Sequence, residues 1–293
     1  MALFSRAAAR RHPFACYCAM TFGISWAGAL GVMAPALARH ERASTLQGIL
    51  IFPAMLLGPF CAGLIHSGTL EGRAGLRLLA ARLNPRKIPG RWWLVLCIPP
   101  GLVLAVLFAL SREISQVFSP NFFAIGILFG IPAGLMEEVG WTGLAFQQLS
   151  SRRSALGASL WIGMVWSCWH LPAINFLGAA VPHGAWWPTF FLAFAMAMTA
   201  MRVLIGWAYV NSRSVLLAQL IHVSSTGSLV VFSPAHASPA QEAGWYAAYG
   251  LVLWGVVLAV VLRDGPALRC PPIPPPERAA LKQLPVAPHD GSA

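Results

Sequence analysis

The chain has 293 residues, of which 57% are hydrophobic and 10% are charged, and its formal net charge is +11. Soluble domains contain about 25% charged residues, so this composition, with a mean hydropathy of +0.66, excludes an ordinary soluble protein. The positive charge alone would suit nucleic-acid binding or a membrane surface, and its distribution decides between them.

Long apolar stretches recur along the whole chain. A helix needs about 20 residues to cross a bilayer, and eight stretches reach or approach that length, near residues 14–37, 46–66, 92–111, 121–149, 155–178, 186–206, 214–233 and 244–262. The sequence therefore predicts an all-α membrane protein with eight transmembrane helices. The fourth stretch is long, which predicts a tilt or a break near Pro132 and Gly134.

Basic residues follow an alternating pattern around these spans. Most of the 20 lysines and arginines lie in the N-terminus, in every second loop and after the last span, whereas the loops between hold only Arg39, Arg42 and Arg112. Because positively charged loops stay in the cytoplasm, both termini are predicted to be cytoplasmic, in a bacterial cytoplasmic membrane. The charge thus indicates a lipid bilayer as partner and no nucleic acid.

Three regions follow from these patterns. Residues 1–13 form a basic cytoplasmic N-terminus, residues 14–265 a single membrane domain, and residues 266–293 a Pro-rich, flexible cytoplasmic tail. Within the domain, Gly72–Leu83 places leucines on one helical face and arginines elsewhere, which predicts an amphipathic helix on the cytoplasmic surface.

Two adjacent carboxylates, Glu137 and Glu138, lie within the apolar fourth span. The chain has only nine acidic residues, and the other seven lie in loops, near helix ends or in the tail. Ionisable side chains at bilayer depth are costly and usually functional. Neighbouring carboxylates also compete for one proton, which suits a general base.

Two histidines, His170 and His222, are the other ionisable groups that we predict to act inside the membrane. With a rise of about 1.5 Å per residue, Glu137, His222 and His170 lie about 18, 14 and 24 Å from the cytoplasmic ends of their spans. We therefore expect three helices to direct polar groups into one central cavity.

Neighbouring side chains support this arrangement. Trp166 lies one turn before His170, Thr226 one turn after His222, and Thr142 one turn beyond the carboxylates, so each shares a helix face with a candidate residue. Arg202 is interpreted as a residue at a helix end whose side chain reaches the membrane surface. His183 and His236 are interpreted as solvated residues of outer loops.

Peptide hydrolysis is one reaction that these residues can perform. It needs an activated water and donors for the tetrahedral oxygen, and glutamate with histidine supplies both. Alternatively, Glu137, His170 and His222 with a water would form a plausible tetrahedral zinc set. The sequence lacks HExxH, which excludes the zinc proteases of that motif, and it also lacks GxSxG. Both aspartates follow the last span, which excludes an intramembrane aspartyl dyad.

Three segments carry a family resemblance. MEEVGWTGLAFQQL, GMVWSCWHLPA and LAQLIHVSST, in this order and spacing, resemble successive motifs of the CAAX-processing and bacteriocin-processing (CPBP, or Abi) family of intramembrane metalloproteases, which includes type II CAAX prenyl proteases. The resemblance extends over about residues 14–262, so it marks residues 14–265 as a CPBP-like protease domain.

This resemblance implies eight helices around a cavity open to the cytoplasm. It implies Glu137 as general base and Glu138 as its support. His170 would orient or share the water, and His222 would hold the developing oxyanion or the same water. The implied substrates are prenylated CAAX-like tails or peptide and bacteriocin precursors. The implied chemistry is either metal-free or uses zinc.

Two positions depart from the family pattern. Thr142 stands where the pattern EExxxR has arginine, and the last motif, usually HxxxN or HxxxD, ends in Thr226. Without that arginine the carboxylates lack a nearby cation. A second hypothesis is therefore a catalytically impaired, protease-like immunity or scaffold factor, and a proton-coupled transporter ranks third.

Overall fold

The computed structural model describes residues 6–83, 88, 90–177 and 183–268, and this part of the chain is almost entirely helical. Its α-helices are α1 (Arg6–Arg11), α2 (Pro13–Ala38), α3 (Thr45–Ala81), α4 (Ile98–Glu113), α5 (Ile125–Gly140), α6 (Phe146–Ser150), α7 (Ala155–Trp169), α8 (Leu171–Leu177), α9 (Trp187–Ser212), α10 (Val215–Val231) and α11 (Pro239–Asp264). A π-helix, Trp141–Ala145, joins α5 to α6. The described ranges contain no β-strand, so the all-α prediction is confirmed.

Five helical segments are long and apolar enough to cross a membrane: Pro13–Ala38, Leu46–Ala81, Gly90–Glu113, Gly184–Ser212 and Pro239–Asp264. The predicted spans at 155–178 and 214–233 correspond to the shorter apolar helices α7 and α10. The predicted fourth span corresponds to α5, the π-helix and α6 in succession. The count of eight spans and the direction in which the cavity opens stay predictions, and the predicted tail lies, beyond Leu268, outside the described residues.

Large apolar side chains on the outside of the helices fit a lipid environment. Leu94, Leu128, Leu192 and Leu262 are all at least 70% exposed, although they lie within long apolar helices. Such exposure would be unfavourable in water but is ordinary against lipid tails.

Helix α3 changes direction at Gly72. This residue has φ +61° and ψ −146°, a left-handed conformation that favours glycine, and the helix breaks there before continuing to Ala81. The segment predicted to be amphipathic therefore starts at the break. At its end, the Arg82 guanidinium donates to the carbonyl oxygen of Gly143 at 3.2 Å, which attaches this segment to the π-helix.

A stripe of glycines packs α5 against α10. Gly126, Gly130 and Gly134 occur at every fourth position, and a Cβ atom at any of them would come within 3.0 Å of α10 backbone atoms. Small residues at this spacing let two helices approach closely in a membrane. Glu138 occupies the next position of the same stripe, so the packing that joins the two helices also directs this carboxylate towards α10.

Two helix boundaries differ from the prediction. The span predicted at 155–178 is divided, since α7 ends at Trp169, His170 is its C-cap, and α8 starts at once. Pro172 in the first turn of α8 lacks an N–H and cannot continue the hydrogen bonds of α7. Conversely, the span predicted to end at residue 206 continues as α9 to Ser212.

Candidate active site

Glu137 projects from α5 towards α7. Its side chain is buried, and its Oε2 atom accepts a hydrogen bond of 2.7 Å from the indole N–H of Trp166. Trp166 lies on the same helix face as His170, as the sequence predicts, and this contact gives it a role at the site. The indole can only donate, so it fixes the direction of the carboxylate and leaves Oε1 available.

Glu138 projects in a different direction and is fully buried among charged and polar partners. The Nη1 atom of Arg202 donates to Oε1 at 2.7 Å and to Oε2 at 2.9 Å. The Nδ1 atom of His222 lies 2.9 Å from Oε1. Thr142 donates its hydroxyl to Oε2 and accepts a hydrogen bond from Nη2 of Arg202. Three helices and the π-helix therefore meet at one carboxylate, which we call the Glu138 cluster (Glu138, Thr142, Arg202 and His222).

Trp166 connects the two histidines. Its ring centroid lies 5.1 Å from that of His170 and 5.1 Å from that of His222. The Nδ1 atom of His170 lies 2.8 Å from the Trp166 carbonyl oxygen. Because a carbonyl only accepts, Nδ1 of His170 carries a proton, and in the neutral ring Nε2 is the basic nitrogen. The structure thus brings both histidines and Glu137 around one tryptophan, and Glu138 joins them through its contact with His222.

The π-helix begins directly after the two glutamates. Single π turns within α-helices often occur at functional sites, and this one sets the orientation of Thr142 towards Glu138. At the junction, a Cβ atom on Gly140 would lie 2.3 Å from the Pro59 carbonyl oxygen. Glycine at this position therefore allows α3 to pack directly against the helix that carries the catalytic candidates.

Arg202 is the site residue that the sequence analysis missed, and its interpretation as a helix-end residue is wrong. The side chain is 0% exposed and lies well inside α9, about three turns before its end. Because the predicted span stopped at residue 206, Arg202 was assigned to a helix end. The signal that could have found it is an arginine within an unbroken apolar run, AMAMTAMRVLIGWAYV, where a charge needs a buried partner.

Arg202 also corrects the expectation that the carboxylates lack a cation. Thr142 is on the same helix face as Glu138, as predicted, but the guanidinium comes from α9 instead of α5. A buried carboxylate paired with arginine and hydrogen-bonded on both oxygens meets the conditions under which such a charge is tolerated.

Two other polar residues lie away from this centre. Thr226 is one turn beyond His222 and half-buried, and the hydrogen bonds of the Glu138 cluster do not include it. His183, expected to be solvated in an outer loop, is 4% exposed, and its Nε2 atom lies 2.9 Å from Oε2 of Glu242. His236, by contrast, is exposed as expected.

The zinc alternative requires three side chains that converge on one metal ion. Among the described residues, no three histidine, cysteine, aspartate or glutamate side chains are arranged to hold one metal ion. Glu137 is oriented by an indole and Glu138 by a guanidinium. The predicted set of Glu137, His170 and His222 does not fit a metal in this arrangement.

The fold and the site together define an all-α membrane protein with a buried cluster of glutamate, histidine and arginine side chains. Residues 119–227, which contain every residue of this centre, match the model of a family described as type II CAAX prenyl endopeptidase Rce1-like. A relative from Methanococcus maripaludis, CAAX prenyl protease 2, is 31% identical over 140 residues, which cover 43% of this chain and 51% of the relative.

These matches confirm the family resemblance that the motifs indicate. The similarity to the Rce1-like type II CAAX prenyl endopeptidase family model lies in residues 119–227. The chain spans about half the length of the curated relative that it matches.

Proposed function

We propose that this protein is an intramembrane endopeptidase that hydrolyses a peptide bond in a prenylated, CAAX-like C-terminal tail. The observation that carries the proposal is the position of Glu137, held by Trp166 beside two histidines and the Glu138 cluster. A glutamate base, an orienting histidine and a histidine donor are the groups that amide hydrolysis by water requires.

Glu137 is better suited than Glu138 to act as the base. The oxygens of Glu138 accept hydrogen bonds from Arg202, His222 and Thr142, so its lone pairs are occupied. Glu137 accepts one side-chain hydrogen bond, on Oε2, from Trp166. Its Oε1 atom can therefore take a proton from water without breaking an existing contact.

The proposed reaction proceeds in two steps. In the first, Glu137 takes a proton from a water that Nε2 of His170 orients, and the resulting hydroxide adds to the carbonyl carbon of the scissile bond. The new oxyanion accepts a hydrogen bond from Nε2–H of protonated His222. In the second, Glu137 gives its proton to the amide nitrogen, the C–N bond breaks, and a carboxylic acid and an amine leave.

The preference for a prenylated tail rests on the relative whose name includes CAAX prenyl protease. No observation on this chain favours a bacteriocin precursor. The hypothesis of an impaired immunity or scaffold factor rests on Thr142 and Thr226, and Arg202 weakens the argument from Thr142 because the site retains a buried cation. The lipid bilayer and the peptide tail are therefore the proposed partners.

Cleavage of a farnesylated CAAX peptide by the purified protein in lipid vesicles tests the proposal. We expect the wild type to release the C-terminal tripeptide and Glu137→Gln to be about 10²- to 10⁴-fold slower, as expected for loss of a general base. Glu242→Gln is the matched control, since it removes a buried carboxylate outside this site. Equal cleavage by the wild type and Glu137→Gln would contradict the proposal.

Metal content provides a separate test of the reaction. The steps above use protein side chains alone, so we expect activity to persist after dialysis against a chelator and to be unaffected by added zinc. Stoichiometric zinc in the active wild type, lost together with activity on chelation, would contradict the metal-free mechanism and favour the zinc alternative.

A further inference from the structure

We infer that Arg202 is a positioning residue: it holds Glu138 as the acceptor for Nδ1 of His222 and so directs Nε2 of His222 towards the reacting atoms. The inference rests on the proposed function and adds to it a residue on α9 that none of the family motifs quoted above contains. It also explains how a chain with Thr142 after its two glutamates keeps an organised centre.

The first step of the argument is the way Arg202 holds Glu138. One guanidinium nitrogen, Nη1, contacts both carboxylate oxygens, at 2.7 and 2.9 Å, and the other, Nη2, contacts the hydroxyl of Thr142. All three side chains are fully buried. A planar guanidinium bound at two points fixes the carboxylate plane, so Glu138 cannot rotate towards other donors.

The second step concerns the histidine. With Glu138 held as a carboxylate by the guanidinium, it can only accept, and Nδ1 of His222 must donate to it. The opposite nitrogen, Nε2, then faces away from the cluster, on a ring that lies 5.1 Å from Trp166, the same tryptophan that holds Glu137. Arg202 therefore acts on the reaction through Glu138 and His222 without touching the substrate.

The third step is that the cation can be supplied from another position. Thr142 lies one turn after Glu138, and its hydroxyl already reaches both the carboxylate and the guanidinium. An arginine at 142 would project from the same point towards the same carboxylate, into the volume that the Arg202 side chain would vacate. The geometry predicts that one guanidinium in this space is sufficient, whichever helix carries it.

Four variants test the inference by cleavage of the farnesylated peptide: Arg202→Met, Arg202→Lys, the double variant Thr142→Arg with Arg202→Met, and the surface control Arg112→Met. We expect Arg202→Met to lower kcat about 100-fold, the effect of a misplaced catalytic group, with little change in KM. We expect Arg202→Lys to be intermediate, because a single ammonium nitrogen cannot contact Glu138 and Thr142 as the separate Nη1 and Nη2 atoms do. The double variant should recover at least about tenfold over Arg202→Met, and the control should match the wild type.

The state of folding is measured on every variant by thermal unfolding in detergent. Arg202→Met that is folded and has wild-type kcat would overturn the inference. A folded double variant as slow as folded Arg202→Met would also overturn it, because the location of the cation would then not matter to the reaction. If Arg202→Met does not fold, the comparison uses Arg202→Lys and the double variant, and equal kcat for the wild type and Arg202→Lys would overturn the two-point role.

A spectroscopic readout separates this inference from the proposed function. In ¹⁵N-histidine NMR spectra, with His222 assigned by its loss in His222→Gln, the wild type should show a hydrogen-bonded Nδ1–H that Arg202→Met lacks and the double variant regains. If the wild type cleaves no prenylated peptide but the spectra change in this way, the proposed function fails and the positioning role holds. Identical His222 signals in the wild type and a folded Arg202→Met would overturn the positioning role.

Discussion

Two buried histidine–glutamate pairs in this protein have the same contact distance but different surroundings. His222 lies 2.9 Å from Glu138, and His183 lies 2.9 Å from Glu242. The first pair joins α10 to α5 in the centre of the domain. The second joins the residue before the short helix Gly184–Trp186 to the first turn of α11, at the end of the helices.

The difference lies in what surrounds each pair. The imidazole of His183 stacks on the ring of Phe190, with centroids 3.7 Å apart, so this contact packs a loop against α9. His222 instead faces Trp166, and its glutamate binds Arg202 and adjoins a second glutamate. A buried His–Glu contact alone therefore indicates attachment of two segments, and the added guanidinium, indole and second carboxylate distinguish the candidate active site.

The largest expected difference between the pairs comes from removing each carboxylate. Glu138→Ala leaves Arg202 as a buried, unpaired cation, and we expect a loss of about 3–5 kcal/mol in the free energy of unfolding together with loss of cleavage. Glu242→Ala should reduce the free energy of unfolding by about 1–3 kcal/mol, because the buried His183 loses its hydrogen-bond partner. Cleavage by this variant should stay near the wild-type level. Thermal unfolding in detergent measures the stability of both variants, and the peptide assay measures their cleavage. Equal destabilisation of the two variants would show that the guanidinium does not distinguish the pairs.

Removing each histidine compares the pairs by activity. We expect His222→Gln to slow cleavage about 100-fold or more, because the oxyanion loses its donor. His183→Gln should keep normal cleavage, although its unfolding temperature should fall. The measurement is kcat on the farnesylated peptide, with the unfolding temperature of each variant as control. A slow but stable His183→Gln would place the outer pair in the catalytic pathway and contradict the distinction.

The packing of α5 against α10 sets the distance between His222 and Glu138, whereas the outer pair lies on other segments. Gly134→Ala would place a Cβ atom 2.4 Å from the carbonyl oxygen of Gln219, and we expect the strain to cost about 1–3 kcal/mol in the free energy of unfolding. Gly31→Ala is the control, because its Cβ would meet nothing within 4 Å and alanine is the better helix former. Destabilisation of both variants to the same extent would contradict the assignment of the glycine stripe as a close contact.

The smallest expected effect comes from the hydroxyl that bridges Arg202 and Glu138. Thr142→Val removes it at nearly constant volume, and we expect a loss of about 1 kcal/mol in the free energy of unfolding and a lower kcat. Thr199→Val, on a buried threonine of α9 outside the cluster, should leave kcat unchanged. Measuring kcat for the two variants side by side tests this prediction. A Thr142→Val variant with wild-type kcat would show that only Glu138, Arg202 and His222 of the cluster contribute to cleavage.

Composition and local patterns were sufficient to predict much of this arrangement. Acidic residues and histidines in the apolar spans are so few that Glu137, Glu138, His170 and His222 could be selected directly, and helix periodicity placed Trp166 and Thr142 on the correct faces. The break at Gly72 also coincides with the start of the predicted amphipathic segment.

The remaining features depend on helix ends and on contacts between distant segments. Apolar periodicity does not fix where α9 stops, so Arg202 is predicted at a helix end. Because α9 continues for six residues beyond the predicted end at residue 206, Arg202 lies inside the helix and is buried. His183 was assigned to solvent because its partner, Glu242, is distant in sequence. The division at His170 depends on Pro172, which interrupts the helical hydrogen bonds although the apolar run continues beyond it.

The glycine stripe of α5 has a consequence for how this protein can vary. Gly126, Gly130, Gly134 and Glu138 occupy one line along the helix, so the same line that sets the distance between α5 and α10 also carries the carboxylate that binds His222. A slip of α10 along α5 by one helical turn, about 5.4 Å, would separate this pair while still matching small residues. Among these four positions, Glu138 is therefore the one that specifies the alignment of the two helices, so a change in their register would also disrupt the candidate active site.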